Sequence, residues 1–492
     1  MSIGDEALRG MGWVALSTWG SRAMSIVVLV VLARSVDPGD FGLMAVAALV
    51  MAVVAVVRDC GLVHALVQHH DPTEEHLHST FWTTAVLAAL ATVVVLMGSP
   101  LIAGWLDEPS LVHVVWWLTP SLLIGALRTV PTAVLQRRMA FRSLAQRSLV
   151  GDLVGGIVGV TVALGGGGVY ALVAMAVVNS AVETLIVSRA AGYRPRLVWT
   201  WRSTTELMRF GSGVAGMQMV NVGFRRGDDL VVAGALGSVA LGIYSMAYRI
   251  VSMAQELFIH AITQVTLPTF ARLSDERARL ARAAESALHG VALVALPALV
   301  GLAVMADDLV TVLFGPDWSA AAPVMALLAL GAAFSPLFGF QIQLLLSTGA
   351  SAQAGALSAV NGLLGLIGVV LAAPHGLAWI GIAFALRSLL MVPISTWWSS
   401  PVTGLGAAGI VRACRIPIVL TTVMAIIVVS AAAALGAVHP AIRLVVVSSV
   451  GAAVYLVSAY RYDPSSRDLL ARLRRVRELG RPMTPPLPVV GS

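Results

Sequence analysis

The sequence predicts an all-α polytopic membrane protein with about 14 transmembrane helices. Of its 492 residues, 58% are hydrophobic and only 12% are charged, whereas soluble domains carry about 25% charged residues. Apolar stretches long enough to cross a bilayer, about 20 residues each, recur along almost the whole chain. Together these observations argue against a soluble fold.

The apolar stretches define the predicted spans. They lie near residues 12–34, 41–62, 78–99, 111–133, 146–165, 169–190, 211–234, 241–265, 286–306, 320–346, 354–373, 377–397, 413–435 and 441–460. The segment before the first span has no basic n-region and no small-residue cleavage site, so we expect that span to be retained rather than cleaved as a signal.

Arginine placement predicts the orientation. The loops after the fourth, sixth and eighth spans and the tail are rich in arginine, whereas alternate loops carry acidic pairs such as Asp107–Glu108. Because cytoplasmic loops are enriched in basic residues, both termini are predicted to be cytoplasmic. The net charge of +7 therefore indicates membrane topology rather than a nucleic-acid partner. The expected location is the cytoplasmic membrane.

A weak internal repeat predicts the domain organisation. An offset of 200 aligns residues 30–43 with 230–243 and places Gly42 opposite Gly242. The repeated segments lie six spans apart, so they share an orientation, as in parallel transporter repeats. The prediction is two pseudo-symmetric six-helix lobes with a polar site between them. The lobes cover 1–200 and 201–402, followed by two extra helices in 403–460 and a basic cytoplasmic tail in 461–492.

A cluster of charges interrupts the seventh predicted span. It comprises Arg225, Arg226, Asp228 and Asp229. A charge at mid-bilayer costs about 2.5–3.5 kcal/mol on the insertion scale, so such groups face a water-filled cavity or pair with one another. The repeat places the cluster inside the helix. The alternative is that the span ends at Phe224 and the cluster belongs to a loop.

Polar residues in the neighbouring spans form stripes at helical spacing. The stripes are Gln218, Asn221, Arg225 and Asp229 in span 7, and Ser245, Arg249, Ser252, Glu256 and His260 in span 8. Arginine stays charged when buried, and its planar fork binds oxyanions in pairs. The pattern therefore favours an arginine-lined cavity for an anionic head group. Structural ion pairs or snorkelling side chains are the alternative, and from the residues alone it is favoured for Arg58, Asp59 and Glu183.

Other residue types indicate no special chemistry. Cys60 and Cys414 are far apart in sequence, and no metal-ligand spacing surrounds His260, so neither a disulfide nor a metal site is expected. Gly151, Gly155 and Gly159 recur every four residues in the fifth span and predict a close helix–helix contact.

Several segments carry a resemblance to a known family. They include LARSVDPGDFGLMAV after span 1, AVLQRRMAFRSLA after span 4 and GDDLVVAGALGSVALGIYSMAYRI across spans 7 and 8. From about residue 10 to 400 the chain resembles polysaccharide and lipid-linked oligosaccharide flippases of the multidrug/oligosaccharidyl-lipid/polysaccharide superfamily, in particular the colanic-acid and teichuronic-acid exporter branch. It departs from its relatives at Gly227, where they often have Asn before the Asp.

The resemblance implies a function and a site. Such flippases move undecaprenyl-type pyrophosphate-linked sugars across the cytoplasmic membrane by alternating access, without cofactor or catalysis. It implies head-group binding by Arg22, Arg58 and Arg249, to which the charge cluster adds Arg225 and Arg226. Asp228, Asp229 and Glu256 are candidates for orienting the arginines or binding a coupling H+ or Na+. The expected partners are the anionic lipid-linked oligosaccharide, membrane lipids and polysaccharide polymerase machinery.

Two other functions compete with this one. A cation-coupled multidrug antiporter of the same fold requires an acidic cavity, and the excess of arginine within the spans argues against it. A membrane glycosyltransferase or polymerase generally presents a large extramembrane loop, and the predicted loops are short.

Overall fold

The structure is a computed structural model that describes Gly20, residues 24–271 and 276–464, and Arg467; for residues 225, 257–269 and 271 it describes the backbone alone. In this part of the chain the regular elements are helices. They are α1 (Met24–Ala33), α2 (Pro38–Asp59), α3 (Leu62–Gln68), α4 (Glu74–Trp105), α5 (Ser110–Leu127), α6 (Thr129–Arg137), α7 (Phe141–Leu164), α8 (Val169–Ala191), α9 (Trp201–Ala271), α10 (Arg277–Val304), α11 (Ala306–Phe314), α12 (Ala321–Ala332), α13 (Ser335–Ser347), α14 (Ser351–Ala372), α15 (Leu377–Thr403), α16 (Ala407–Ala434) and α17 (Pro440–Tyr462).

Twelve helical segments of the described residues are long and apolar enough to cross a membrane. Eleven of them each overlap one predicted span, from Pro38–Asp59 to Pro440–Tyr462. The twelfth, Arg226–Glu256, overlaps both span 7 and span 8, and the described part of span 1 is the shorter helix α1. The predicted all-α polytopic membrane class is confirmed. The count of 14 and the cytoplasmic termini stay predictions.

Helix α9 is a hairpin of two arms. Its backbone breaks at Gly237, where φ is +85° and ψ is 176°, a conformation that glycine adopts without steric cost. Tyr244 Oη donates a hydrogen bond of 2.7 Å to Asp228 Oδ2 across 16 residues. A continuous helix would separate these residues by about 24 Å. Residues 201–236 (the first arm) and 238–271 (the second arm) are therefore antiparallel and match the two predicted spans.

The start of α2 crosses the start of the second arm at van der Waals distance. A Cβ added to Gly42 would overlap the carbonyl oxygen of Ser238, and a Cβ added to Gly242 would overlap that of Pro38. These four positions are related by the same offset of 200 that the sequence repeat shows. Reciprocal contacts of this kind characterise an isologous interface around a two-fold axis. The repeated segments thus meet around a local two-fold axis.

Trp318 fixes the corner between α1 and α2. This fully buried side chain donates from Nε1 to the carbonyl oxygen of Ala33 at 2.7 Å and packs edge-on against Phe41, with ring centroids 5.2 Å apart. Arg34 adds a hydrogen bond from Nε to the carbonyl oxygen of Leu313 at 3.0 Å. Hydrogen bonds and ring packing from α11 and the turn after it therefore stabilise the short turn between α1 and α2.

The chain forms two compact units. One comprises residues 1–250, 310–325 and 360–387, and the other comprises 251–309, 326–359 and 388–492, as far as these ranges are described. In the second unit, α16 and α17 pack on α10 around a buried apolar cluster that includes Met305, Met424 and Val447. The predicted lobe boundaries at residues 200 and 402 stay predictions.

The glycine crossing generates a stability prediction. We expect Gly42→Ala to destabilise the protein by about 1–3 kcal/mol, as overpacking of a filled interior does, because the new methyl group meets backbone that has no alternative rotamer. Thermal unfolding in detergent measures the effect. Gly39→Ala is the matched control, since its Cβ would lie 3.4 Å from Val239 Cγ2. Equal unfolding temperatures for the two variants would contradict the prediction.

Candidate functional site

The first unit contains a cavity of about 590 Å³, within the usual size range of small-molecule sites. Helices α1, α2, α5, α7 and α8 line it, together with the second arm of α9 and the junction of α5 with α6. The contribution of α8 is Leu172, Met175, Ala176, Asn179, Ser180 and Glu183. Their spacing of three and four residues places them on one face of the helix.

The cavity is apolar at one end and charged at the other. The N-terminal ends of α2 and α8 lie together, where Val169 N–H donates to the Asp40 carboxylate, and here the lining is Leu32, Phe41 and Leu172. Eleven residues along α8, about 16 Å by helical rise, lead from Leu172 to Glu183. The lining at that end is Arg58, Arg128, Asp152, Asn179 and Glu183.

The carboxylates at the charged end are already engaged. Glu183 forms an ion pair with Arg128 and also lies 3.9 Å from Arg147 Nε. Asp152 Oδ1 accepts a 2.9 Å hydrogen bond from Asn179 Nδ2. Buried charges persist when they are paired and hydrogen-bonded, so these contacts explain how two carboxylates lie among membrane helices.

Arg58 reaches the cavity from the last turn of α2. Its side chain is 7% exposed; Nε donates to Asp59 Oδ1 at 2.8 Å and Nη1 to the carbonyl oxygen of Leu122 at 3.0 Å. A Cβ at Gly125 of α5 would lie 2.5 Å from Nη1, so this glycine leaves the room that the guanidinium occupies. The sequence left open whether Arg58 is structural or lines a cavity. In the structure it pairs with its neighbour and also lines the cavity.

The glycine stripe of α7 positions the polar face of α8. A Cβ would lie 2.8 Å from Glu183 Cγ at Gly151, and 2.9 Å from the carbonyl oxygen of Met175 at Gly155. Gly159 makes a similar approach to the side chain of Met175. The predicted close helix–helix contact is confirmed, and it brings the backbone of α7 near enough for Asp152 to meet its amide partner.

Arg249 completes the set of cavity arginines. It lies on the second arm of α9, and its exposed side chain lines the cavity. With Arg58 and Arg128 it gives the lining three arginines against two carboxylates, Asp152 and Glu183, which leaves one formal positive charge. The lining thus offers three guanidinium groups that can contact an anion.

The other predicted site residues have different surroundings. Arg22 and the side chain of Arg225 lie outside the described residues. Half-exposed Arg226 donates to buried Asp229 at 3.1 Å, one turn along the same helix. Asp228 accepts the hydrogen bond from Tyr244 described above. In the described part of the chain, Arg226, Asp228, Asp229 and the exposed Glu256 are not among the cavity-lining residues.

Arg128 is a cavity residue that was not predicted from the sequence. This residue lies inside the fourth predicted span, so a charged side chain within an apolar segment was the available signal. It was overlooked because the arginines of the following loop dominate the pattern. Glu183 was recognised as a charge but treated as structural, and its pairing with Arg128 requires two helices to be brought together.

Comparison with known proteins establishes the family. Residues 31–323 match a family described as polysaccharide biosynthesis protein. The chain belongs to this family. The resemblance inferred from the sequence motifs is therefore confirmed.

Individual relatives agree with this assignment. The chain is 30% identical over 325 residues to a succinoglycan biosynthesis transport protein of Rhizobium meliloti, in an alignment that covers 65% of each chain, just under two thirds. It is 26% identical over 483 residues to a teichuronic acid biosynthesis protein of Bacillus subtilis, which covers 96% of this chain and 99% of the relative. The protein is thus a multi-pass cell-membrane protein of the polysaccharide biosynthesis family.

Solved structures confirm the fold. The inward-closed lipid II flippase MurJ superposes with a TM-score of 0.74 over 93% of this chain and 99% of its own, at 13% identity. An inward-facing multidrug transporter of the MATE family gives a TM-score of 0.58 over 78% of this chain and 96% of its own, also at 13% identity. At such low identity these similarities establish the fold alone.

The ion pair at the charged end of the cavity should make the stability effects of changes at Arg128 and Glu183 non-additive. In a double-mutant cycle, Arg128→Gln and Glu183→Gln should show a coupling energy of about 0.5–3 kcal/mol, because each single change leaves the partner charge uncompensated. Chemical unfolding in detergent measures it. The exposed pair Arg279–Glu276, 3.0 Å apart, is the control, and its coupling should stay below about 1 kcal/mol. Additive effects at Arg128 and Glu183 would exclude the coupling.

Proposed function

We propose that this protein flips a polyprenyl-pyrophosphate-linked oligosaccharide, or a polysaccharide precursor of that kind, across the cytoplasmic membrane by alternating access. The observation that carries the proposal is the cavity itself, which has three arginines in its lining, two of them at the charged end, and an apolar wall at the other end. An amphipathic lipid matches this arrangement, because its anionic head group would contact the arginines and its apolar chain would contact the apolar wall.

The arginines suit a pyrophosphate. Guanidinium groups offer paired N–H donors that match two phosphate oxygens, and they stay ionised when buried. Asp59 and the carbonyl oxygen of Leu122 orient Arg58, so little side-chain entropy is lost when the head group binds. Arg249 supports the site from a second direction because it comes from α9. Arg22 and Arg225 remain candidates for the same role.

The orientation of the cavity fits uptake from the inner leaflet. Helix α2 ends at Asp59, which the arginine distribution predicts to be on the cytoplasmic side. The charged end therefore faces the compartment in which the head group is assembled. The apolar wall, which includes Leu32, Phe41 and Leu172, is suited to the first part of the lipid chain.

The proposal is transport rather than catalysis. The R. meliloti relative is named as a transport protein, and the cavity carboxylates of this chain are engaged by Arg128 and Asn179 rather than placed for acid–base work. Asp228, Asp229 and Glu256 lie apart from the cavity lining and are candidates for coupling to H+ or Na+. Polysaccharide polymerase machinery is the proposed downstream partner, and membrane lipids surround the helices.

A multidrug antiporter is the second candidate because the fold also matches a MATE transporter. A cation antiporter needs carboxylates that are available to a cationic substrate. In this cavity Glu183 is paired with Arg128, and the lining carries an excess of positive charge. The anionic substrate is therefore the better fit.

Transport depends on the cavity arginines under this proposal. We expect Arg58→Ala, Arg128→Ala and Arg249→Ala each to lower export by about tenfold or more, since a hydrogen bond to a charged group contributes about 1.5–3 kcal/mol. Surface polysaccharide, measured at matched membrane protein levels in a strain that lacks the chromosomal gene, reports the effect. The Arg→Lys variants should retain an intermediate level of export, because lysine keeps the positive charge but lacks the paired N–H donors of the guanidinium group.

Arg194→Ala is the matched control, since this exposed arginine lies in the connection after α8, away from the cavity. Deletion of the gene should also cause the lipid-linked sugar to accumulate on the inner leaflet. Undiminished export from all three cavity variants would refute the role of the arginines. Normal surface glycans without accumulation in the deletion strain would refute the transport function.

A further inference from the structure

A second group of chemically active side chains lies outside the cavity. His69 follows α3, His76 lies in the first turn of α4, and Glu206 lies in the second turn of α9. One ligand atom from each lies within 4.8 Å of the other two. His69 Nε2 is 3.1 Å from Glu206 Oε1, and His76 Nε2 is 3.6 Å from Glu206 Oε2. Two imidazoles thus face one carboxylate from two separate segments.

The three residues are held by a packed substructure. Leu66, three residues before His69, and Leu207, next to Glu206, belong to one buried apolar cluster with Phe81 of α4. Arg137 donates from Nη1 to the carbonyl oxygen of His69 at 2.6 Å. The backbones that carry the three side chains are therefore fixed by core packing, which is what a preorganised binding site requires.

The spacing matches a transition-metal site. Zinc binds histidine nitrogen at about 2.0–2.1 Å and carboxylate oxygen at about 2.0–2.2 Å in tetrahedral geometry, which places ligand atoms about 3.4 Å apart. The two measured separations, 3.1 and 3.6 Å, lie on either side of this value. The 3.1 Å distance runs to Oε1 and the 3.6 Å distance to Oε2, and one ligand atom from each residue lies within 4.8 Å of the other two. Side-chain movement would therefore have to bring the three groups onto one ion.

We propose that His69, His76 and Glu206 bind a divalent transition-metal ion of the zinc class, with water completing the coordination. Two histidines and one carboxylate form a ligand set that zinc uses in proteins. The two histidines are seven positions apart, and Glu206 lies 130 positions after His76. The metal would therefore tie the connection between α3 and α4 to the first arm of α9.

The groups around the ligands support the assignment. Thr73 fixes the orientation of the His76 ring, because its backbone N–H donates to Nδ1 at 3.3 Å and its Oγ1 lies 2.7 Å from the same nitrogen. Nε2 is thereby directed towards Glu206, as contacts from outside the ligand set commonly orient a ligand. Among the described residues, His76 Nε2 is a buried nitrogen without a hydrogen-bond partner.

A metal at this site would link two loops of the protein. The loops after predicted spans 2 and 6 both lie on the side predicted to be cytoplasmic, and the site joins them. The metal would brace the start of the first arm of α9 against α4, outside the membrane-spanning segments. A metal site departs from the sequence-based expectation, because the residues are separated in the chain and their spacing matches no familiar motif.

Direct metal binding tests the proposal. The full-length protein is purified in detergent with a histidine-free affinity tag, stripped with a chelator and titrated with Zn²⁺ against a chromophoric chelator. We expect one Zn²⁺ per chain and, with Co²⁺ instead, the visible absorption of a tetrahedral site. Glu206→Gln and His76→Ala should each weaken binding by about tenfold or more. Zn²⁺ should raise the unfolding temperature of the wild type, because it binds the folded state.

Two variants outside the cluster are the controls. Glu75→Gln and His113→Ala change exposed residues outside the cluster and should leave Zn²⁺ affinity unchanged. Zn²⁺ binding equal to that of His69→Ala/His76→Ala/Glu206→Gln, or an unchanged affinity in Glu206→Gln, would overturn the proposal. If a variant does not fold, the absence of a Zn²⁺-induced shift in the wild-type unfolding temperature would overturn it equally. None of these measurements depends on the transport activity.

Discussion

The cost of placing charge among membrane helices is the constraint on which this architecture depends. An ionised side chain loses its hydration there, and only an opposite charge or well-aligned hydrogen bonds replace it. The charged cavity residues Arg58, Arg128, Asp152 and Glu183 each have such a contact. Asp229, which is buried outside the cavity, has one with Arg226. The helix positions must therefore satisfy these pairs as well as bury apolar surface.

Close helix packing makes those pairs geometrically available. Gly125 leaves room for the Arg58 guanidinium, and Gly151 and Gly155 allow α7 to approach the polar face of α8. Glycine destabilises a helix by about 1 kcal/mol relative to alanine. At these positions that cost is offset by the charge pairs that close approach permits. At the Gly42–Gly242 crossing, the missing side chains likewise allow the backbones of the two repeated segments to come into contact.

The sequence predicted those features that depend on residues close together in the chain, such as the membrane spans and the polar face of a helix. Eleven spans were located because apolar length is itself the physical requirement for crossing a bilayer. The apolar stretches separated spans 7 and 8, and Gly237 supplies the break between them. The repeat placed the charge cluster inside span 7, and Arg226 to Asp229 lie within α9. Arg249 was selected by its helical stripe, and it lines the cavity.

Features that depend on contacts between distant segments were not predictable in this way. Glu183 meets Arg128 across 55 residues, and His69 meets Glu206 across 137. Neither contact could be predicted from the sequence, because the pattern within one segment does not indicate which helices pack against each other. The division of the cavity into an apolar and a charged end likewise emerges only when faces of six helices are brought together.

The internal pairing of the cavity bears on how a transporter releases its substrate. A site that bound pyrophosphate with uncompensated arginines would hold it too tightly to complete a transport cycle. Glu183 is a carboxylate already paired with Arg128, so under the proposed function a phosphate that reached Arg128 would compete with it for the same guanidinium. Binding exchanges one ion pair for another, and the net free energy is the difference between them rather than the full attraction. Under the same proposal, Glu183 would keep Arg128 compensated after release, and the empty cavity would return without an unpaired buried charge at this position.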